Sequence, residues 1–133
     1  MSTTKAVFKQ AWPYQQDKMA LPVQNCNLAV SFYEHYMGFN IVEYQSGHYP
    51  AVILQRDDVQ IGLCENGGDP TQDGCFFEVD DLVSLLNELT SSGLQKEISN
   101  ISFQNHGDSL WKVFFVTAPD GLCYCFGERQ PTS

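Results

Sequence analysis

The sequence predicts an α+β fold built from two copies of a strand–helix–strand–strand–strand unit, and three observations carry that expectation. The first is the stretch Trp111–Phe126, which reads as a hairpin. Val113, Phe114, Phe115 and Val116 precede a Pro119-Asp120-Gly121 turn, and Tyr124 and Phe126 follow it. β-Branched and aromatic residues suit a pleated surface, Pro presets the first central turn position, and Gly closes the turn at positive φ. The second is a partial echo of this hairpin in Ala51–Cys64, and both hairpins run out onto an acid, Glu65 and Glu128. The third is that an amphipathic helix ended by a glycine precedes each hairpin. Setting Val23 against Val79 aligns caps, helices and the glycines Gly38 and Gly93 to within one residue, as a two-copy repeat would.

In chain order, residues 1–16 form an N-terminal arm. Its Val7-Phe8 and Trp12-Pro13-Tyr14 read either as a short edge strand or as a segment that packs on a partner. The first module spans about 17–65. It opens with a strand at Lys18–Val23, where Pro22 restricts the strand to an edge. Asn25 or Asn27 then caps a helix carrying Leu28, Val30, Phe32, Tyr33, Tyr36 and Met37, which Gly38 stops. Strands follow at Phe39–Tyr44, Tyr49–Gln55 and Val59–Cys64. Residues 66–73 are a polar linker containing Gly and Pro. The second module, about 74–128, has a strand at Gly74–Val79. Asp80 or Asp81 caps its helix, whose buried stripe is Leu82, Leu85, Leu86 and Leu89. A strand at Ile98–Phe103, a loop at Gln104–Asp108 and the closing hairpin complete it.

A chain of 133 residues is one domain with room for a core, and 43% hydrophobic with 17% charged residues is ordinary for a globular protein. The net charge of -9, with seven Lys and Arg in all, excludes a surface that tracks nucleic acid. No apolar run approaches the ~20 residues of a membrane span, and the N-terminus lacks the apolar region of a signal peptide. The five cysteines form no Cys-x-x-Cys pair. Cys123 and Cys125 lie side by side on one strand face, which does not suit a disulfide. A reduced, cytoplasmic protein is expected.

The segments Leu21-Pro22-Val23 and Ser31–Phe39, with Phe114–Gly121 at the far end, resemble the vicinal oxygen chelate superfamily. That group contains glyoxalase I, bleomycin-resistance proteins, fosfomycin-resistance enzymes and extradiol dioxygenases. The resemblance covers about residues 17–128. One departure is Ala118, where the family usually has Asp before Pro-Asp-Gly. The resemblance implies two βαβββ modules with curved mixed sheets enclosing a cavity, and a homodimer whose pockets draw on both subunits. It also implies a divalent metal held by His, Glu or Gln at the first and last strands of each module. The corresponding positions here are Lys18, Gly62, Gly74 and Cys125. A cation, two glycines and one thiol do not make a metal site, so neither metal nor cofactor is expected. His35, His48 and His106 are too scattered to supply one, and no Ser-His-Asp or Cys-His spacing is present.

What remains is a cavity without a metal. Counting by two from the ligand positions puts Lys18, Gln60, Cys64, Phe76, Glu78, Cys123 and Cys125 on the inner face, and Trp111, Val113 and Phe115 join them from the neighbouring strand. The candidate ligand-binding residues are Lys18, Gln60, Phe76, Glu78, Trp111, Phe115 and Cys125. Trp111 and Phe115 are suited to stacking, and Glu78 to pairing with a cationic group. The expectation is a small-molecule binding protein of the bleomycin-resistance-like type, sequestering an amphipathic or aromatic ligand. The alternatives are a superfamily enzyme with a displaced metal or a Lys18–Cys125 pair, and a degenerate module that partners another protein.

Overall fold

A computed structural model describes residues 6–14, 17–94 and 97–130. Residues 1–5 and 15–16 of the expected arm lie outside these. The strands are β1 (Phe8–Pro13), β2 (Leu21–Pro22), β3 (Asn40–Ser46), β4 (Pro50–Arg56), β5 (Val59–Cys64), β6 (Gly74–Val79), β7 (Ser102–His106), β8 (Ser109–Thr117) and β9 (Cys123–Arg129). The helices are α1 (Cys26–His35) and α2 (Leu82–Ser91). One sheet runs β2-β5-β4-β3 and the other β1-β6-β9-β8-β7. Without β1 the two orders are the same, and in each the first strand pairs parallel to the last while the rest are antiparallel. The fold is therefore α+β with mixed sheets that do not close into a barrel.

The helices start where their caps dictate. Asn25 accepts from the Leu28 N–H at 3.1 Å, and Asp81 from the Ser84 N–H at 3.1 Å. The acids that end the two hairpins add a second, matched contact. Glu65 accepts from the Cys26 N–H at 2.9 Å and Glu128 from the Leu82 N–H at 2.8 Å. Each satisfies a donor that a helix's first turn leaves free and places negative charge at the positive end of the dipole. Gly38, at φ 73, turns the chain out of α1 while the Phe39 N–H bonds back to the Tyr33 carbonyl at 3.1 Å.

Four expectations change. Leu28 is 77% exposed, because at 100° per residue it falls opposite the Val30–Tyr33–Met37 face. The strand expected at 18–23 shrinks to Leu21–Pro22, since Asp17 draws the preceding residues into a turn by accepting from the Met19 N–H at 2.9 Å. The strand expected at 98–103 moves to Ser102–His106, so the expected loop at 104–108 becomes a strand end and a tight turn with Gly107 at φ 64. Ile98 makes only an isolated bridge to Val116. Of the two readings of the arm, the edge strand is realised, with β1 antiparallel to β6.

The main core runs through both modules, from Val52, Leu54, Ile61 and Leu63 to Phe77, Leu85, Phe114 and Phe126. Phe8 of β1 meets Phe39 at 5.6 Å and Phe77 at 5.3 Å, and Phe77 stacks on Phe126 at 5.4 Å. Buried Arg56 of β4 reaches across to Glu88 of α2 with two bonds, at 2.6 and 2.8 Å, and also donates to the Met37 and Ala6 carbonyls. Each buried Phe contributes about 2–3 kcal/mol, whereas a buried ion pair roughly breaks even against its desolvation. The rings therefore hold the modules together, and the ion pair fixes how they meet.

Candidate functional site

A second, smaller cluster lies on the other face of the five-stranded sheet, where Trp111, Val113 and Cys125 pack with Phe76 and Phe115. It borders a cavity of about 520 Å³. Strand alternation supplies most of the wall: Phe76 from β6, Trp111 and Phe115 from β8, Cys123 and Cys125 from β9. The β7 end adds Gln104, opposite Trp111, and His106, whose Nε2 lies 2.9 Å from Gln104 Oε1. The arm adds Trp12 and Tyr14. Trp12 lies 5.6 Å from Phe76 and 6.4 Å from Trp111, and Phe76 meets Trp111 edge-on at 5.2 Å.

The arm reaches both faces of the sheet because of a register shift between Phe8 and Gln10. Phe8 pairs with Val79 and enters the core, while Trp12 pairs with Phe76 and faces the cavity. Unbroken alternation would put Phe8 and Trp12 on one face; the extra residue reverses it. The arm is pinned where it enters, by Asp80 on the Val7 N–H at 2.7 Å and Asp57 on the Phe8 N–H at 2.9 Å.

The wall is electrically quiet. Burial, and then neighbouring Cys123, push the Cys125 thiol up to about 12. Burial also raises Cys123 and, more strongly, the Tyr14 hydroxyl. Both thiols and the phenol therefore stay protonated at neutral pH, which removes Cys125 as a ready nucleophile.

Of the residues singled out by sequence, Phe76, Trp111, Phe115 and Cys125 come together around this cavity. Three do not join them. Glu78 shares a strand with Phe76 but pairs with Gln10 and Gly127, outside the lining. Gln60 lies exposed on β5 of the other sheet, donating to Gln55 at 2.9 Å. Lys18 sits in the turn before β2, its carbonyl accepting from the Gly62 N–H at 2.9 Å. Trp12, Tyr14, Gln104 and His106 were not assigned to the site from sequence. The Trp-Pro-Tyr string marked the arm as unusual but could not place it.

The four positions at which the resemblance implies metal ligands do not fit a metal. A Cβ on Gly62 would collide with the Met19 carbonyl, and one on Gly74 with the Cys123 carbonyl and the Tyr14 ring, so the chain itself fills the space a ligand side chain would need. Lys18 is outside the cavity, and the Cys125 thiol is protonated. Among the described residues, no group of three or more His, Cys, Asp or Glu is placed to hold a metal ion. No helix among them is long and apolar enough to cross a membrane.

The outer face of the four-stranded sheet is open as well. A broad depression there takes in Met19, Tyr44, Tyr49, Ala51 and Cys64, and Val42, Tyr44 and Tyr49 are exposed.

No family model and no curated protein matches the sequence. Solved structures do match it. The chain is similar to a bleomycin resistance determinant encoded on the transposon Tn5, at 25% identity over 88% of this chain and 99% of that one, with a TM-score of 0.70. It is similar to a bleomycin-binding protein complexed with bleomycin, at 26% identity over 89% and 99%, with a TM-score of 0.66. It shares its fold with an antibiotic binding protein from Streptomyces sp. CB03234, at 17% identity over 87% and 97%, with a TM-score of 0.61. The architecture is thus that of these bleomycin-resistance and bleomycin-binding proteins. These neighbours support the expected place in the vicinal oxygen chelate superfamily, on its bleomycin-resistance-like side.

Proposed function

We propose that this chain is a small-molecule binding protein that sequesters an amphipathic or aromatic ligand without a metal. The observation that carries this reading is the open cavity of about 520 Å³ bordered by the mutually packed rings of Trp12, Phe76 and Trp111. Cavities of this size, apolar with a few polar groups at one edge, are what small ligands fill. The collisions at Gly62 and Gly74 support the metal-independent part. The bleomycin-binding neighbour supports sequestration as the mode of action. The enzyme reading through Lys18 and Cys125 gains nothing from a thiol raised to about 12 and a lysine outside the cavity.

We further propose a homodimer in a reducing, cytoplasmic setting. Its support is the exposed aromatic face of the four-stranded sheet, which a second copy would cover, and the five free cysteines. Native mass spectrometry of protein purified without chelator tests both parts. The expected species is a metal-free dimer, with or without a small organic adduct. About one metal per subunit, together with a large rise in melting temperature on adding divalent metal, would overturn the metal-independent reading.

A further inference from the structure

We infer that the cavity selects an uncharged planar aromatic molecule carrying a hydrogen-bond acceptor on one edge, and that it discriminates against cations. This rests on the binding reading above and adds the ligand's charge and polarity to it.

Among the described residues no Asp, Glu, Lys or Arg side chain lines the cavity. A cation brought against such a wall loses water and gains no carboxylate partner, a penalty that neutral aromatic surface escapes. Aromatic faces do attract cations as a rule. Here the Trp111 face is already taken, because the Arg129 guanidinium lies 5.0 Å from its ring centroid. A second cation at Trp111 would meet a like charge at close range. The acidic surface draws cations toward the protein as a whole, but that attraction is screened beyond about 8 Å in physiological salt, so local groups decide what stays.

The polar edge is a donor. When the His106 ring N–H donates to Gln104 Oε1, both amide hydrogens of Gln104 are left to bond an acceptor on the ligand. Gln104 pairs with Trp111 across β7 and β8, so the donor stands at the wall of the cavity that the exposed Trp12 ring also lines. Stacking against Trp12, which is 41% exposed, and a hydrogen bond to Gln104 are therefore available to one flat molecule in the cavity.

The chain's two tryptophans, Trp12 and Trp111, are both in this wall, so tryptophan fluorescence, excited where tyrosine does not absorb, reports on the cavity. The test titrates three tricyclic probes of one shape: uncharged acridone, cationic aminoacridine and anionic acridine carboxylate. Calorimetry checks each against optical artefacts. Acridone is expected to quench saturably and to bind about tenfold or more tighter than aminoacridine, about 1.4 kcal/mol. Gln104→Leu should weaken acridone. Arg129→Gln, at an exposed residue whose loss leaves the fold intact, should narrow the gap by admitting the cation. Aminoacridine or the carboxylate binding as tightly as acridone overturns this inference and leaves the binding reading standing. If none of the three binds, both fall.

Discussion

The hydroxyls of Tyr33 and Tyr124 bond to each other in the core, one carried by α1 of the first module and the other by β9 of the second. Both side chains are fully buried, and burial drives both hydroxyls well above their usual value. Each hydroxyl is the other's partner in a place water does not reach. Removing one should therefore strand its mate. Tyr33→Phe or Tyr124→Phe alone is expected to cost about 1–3 kcal/mol. The double variant should cost clearly less than the sum, because no orphaned group remains. Urea denaturation of the four proteins of the cycle measures this, and strict additivity would contradict it.

Arg56 and Glu88 should show the same asymmetry on a larger scale. Glu88→Ala leaves a guanidinium that is 6% exposed with its carbonyl partners and, as counter-charge, only the half-exposed Asp57 at 3.7 Å. The expected loss is about 3 kcal/mol, the low end for a broken buried pair, because Asp57 remains. Replacing both residues with apolar ones of similar size should recover most of it, as read by thermal melting at fixed protein concentration.

Glu65 and Glu128 do equivalent work on α1 and α2. Glu128→Ala should cost about 1 kcal/mol through the freed Leu82 N–H and the lost charge at the helix start. Glu128→Gln keeps an acceptor and should cost less. Equal losses in both variants would mean that the charge, not the hydrogen bond, is what matters.

Alkali should unfold the protein early. Burial pushes Cys26 up to about 11 and Cys75 to about 12, as it does Cys125, and raises Tyr33 and Tyr124 as well. A folded pKa above the unfolded one means that the folded chain keeps protons which the unfolded chain releases. This stability is fully present below the ordinary thiol value of about 8.5 and is lost as pH rises through the folded values. Urea midpoints should hold steady from neutral pH and then fall from about pH 9 upward. A midpoint that stays flat to about pH 11 would show that these groups titrate alike in both states.

Restoring a metal ligand should fail structurally before it fails chemically. At Gly74 even a methyl group collides with the Cys123 carbonyl. Gly74→His is expected to lower the melting temperature by several degrees, about the effect of 1–3 kcal/mol on a domain of this size. Calorimetry with zinc should show no stoichiometric binding by the variant.

What could be read from the sequence was what alternation and capping write locally. β5 and β6 keep their expected bounds because their inward residues are apolar and turn residues flank them. Asn25 and Asp81 were each one of two candidate caps, since a neighbouring Asn or Asp presents the same chemistry one or two residues away. The end of β7 was hidden because an edge strand is largely exposed on both faces, and Gln104-Asn105-His106 looks like a loop. Gln60 and Phe76 were grouped on one inner face by counting by two along the strands, and alternation does not say which sheet a face belongs to. Trp12 and Tyr14 were out of reach for another reason. Their face depends on one irregular pairing that neither periodicity nor propensity encodes.

That irregular pairing separates two properties that are usually tied together. The residues before it, Ala6 and Phe8, serve the interior shared by both modules; those after it, Trp12 and Tyr14, serve the cavity. Variation at positions 12 and 14 can thus alter what the protein accepts with little demand on the scaffold. Loss of the single residue Lys9 would leave the flanking pairings in a regular strand. The arm is consequently the segment on which new ligand preferences can be tried at least risk to the rest of the chain.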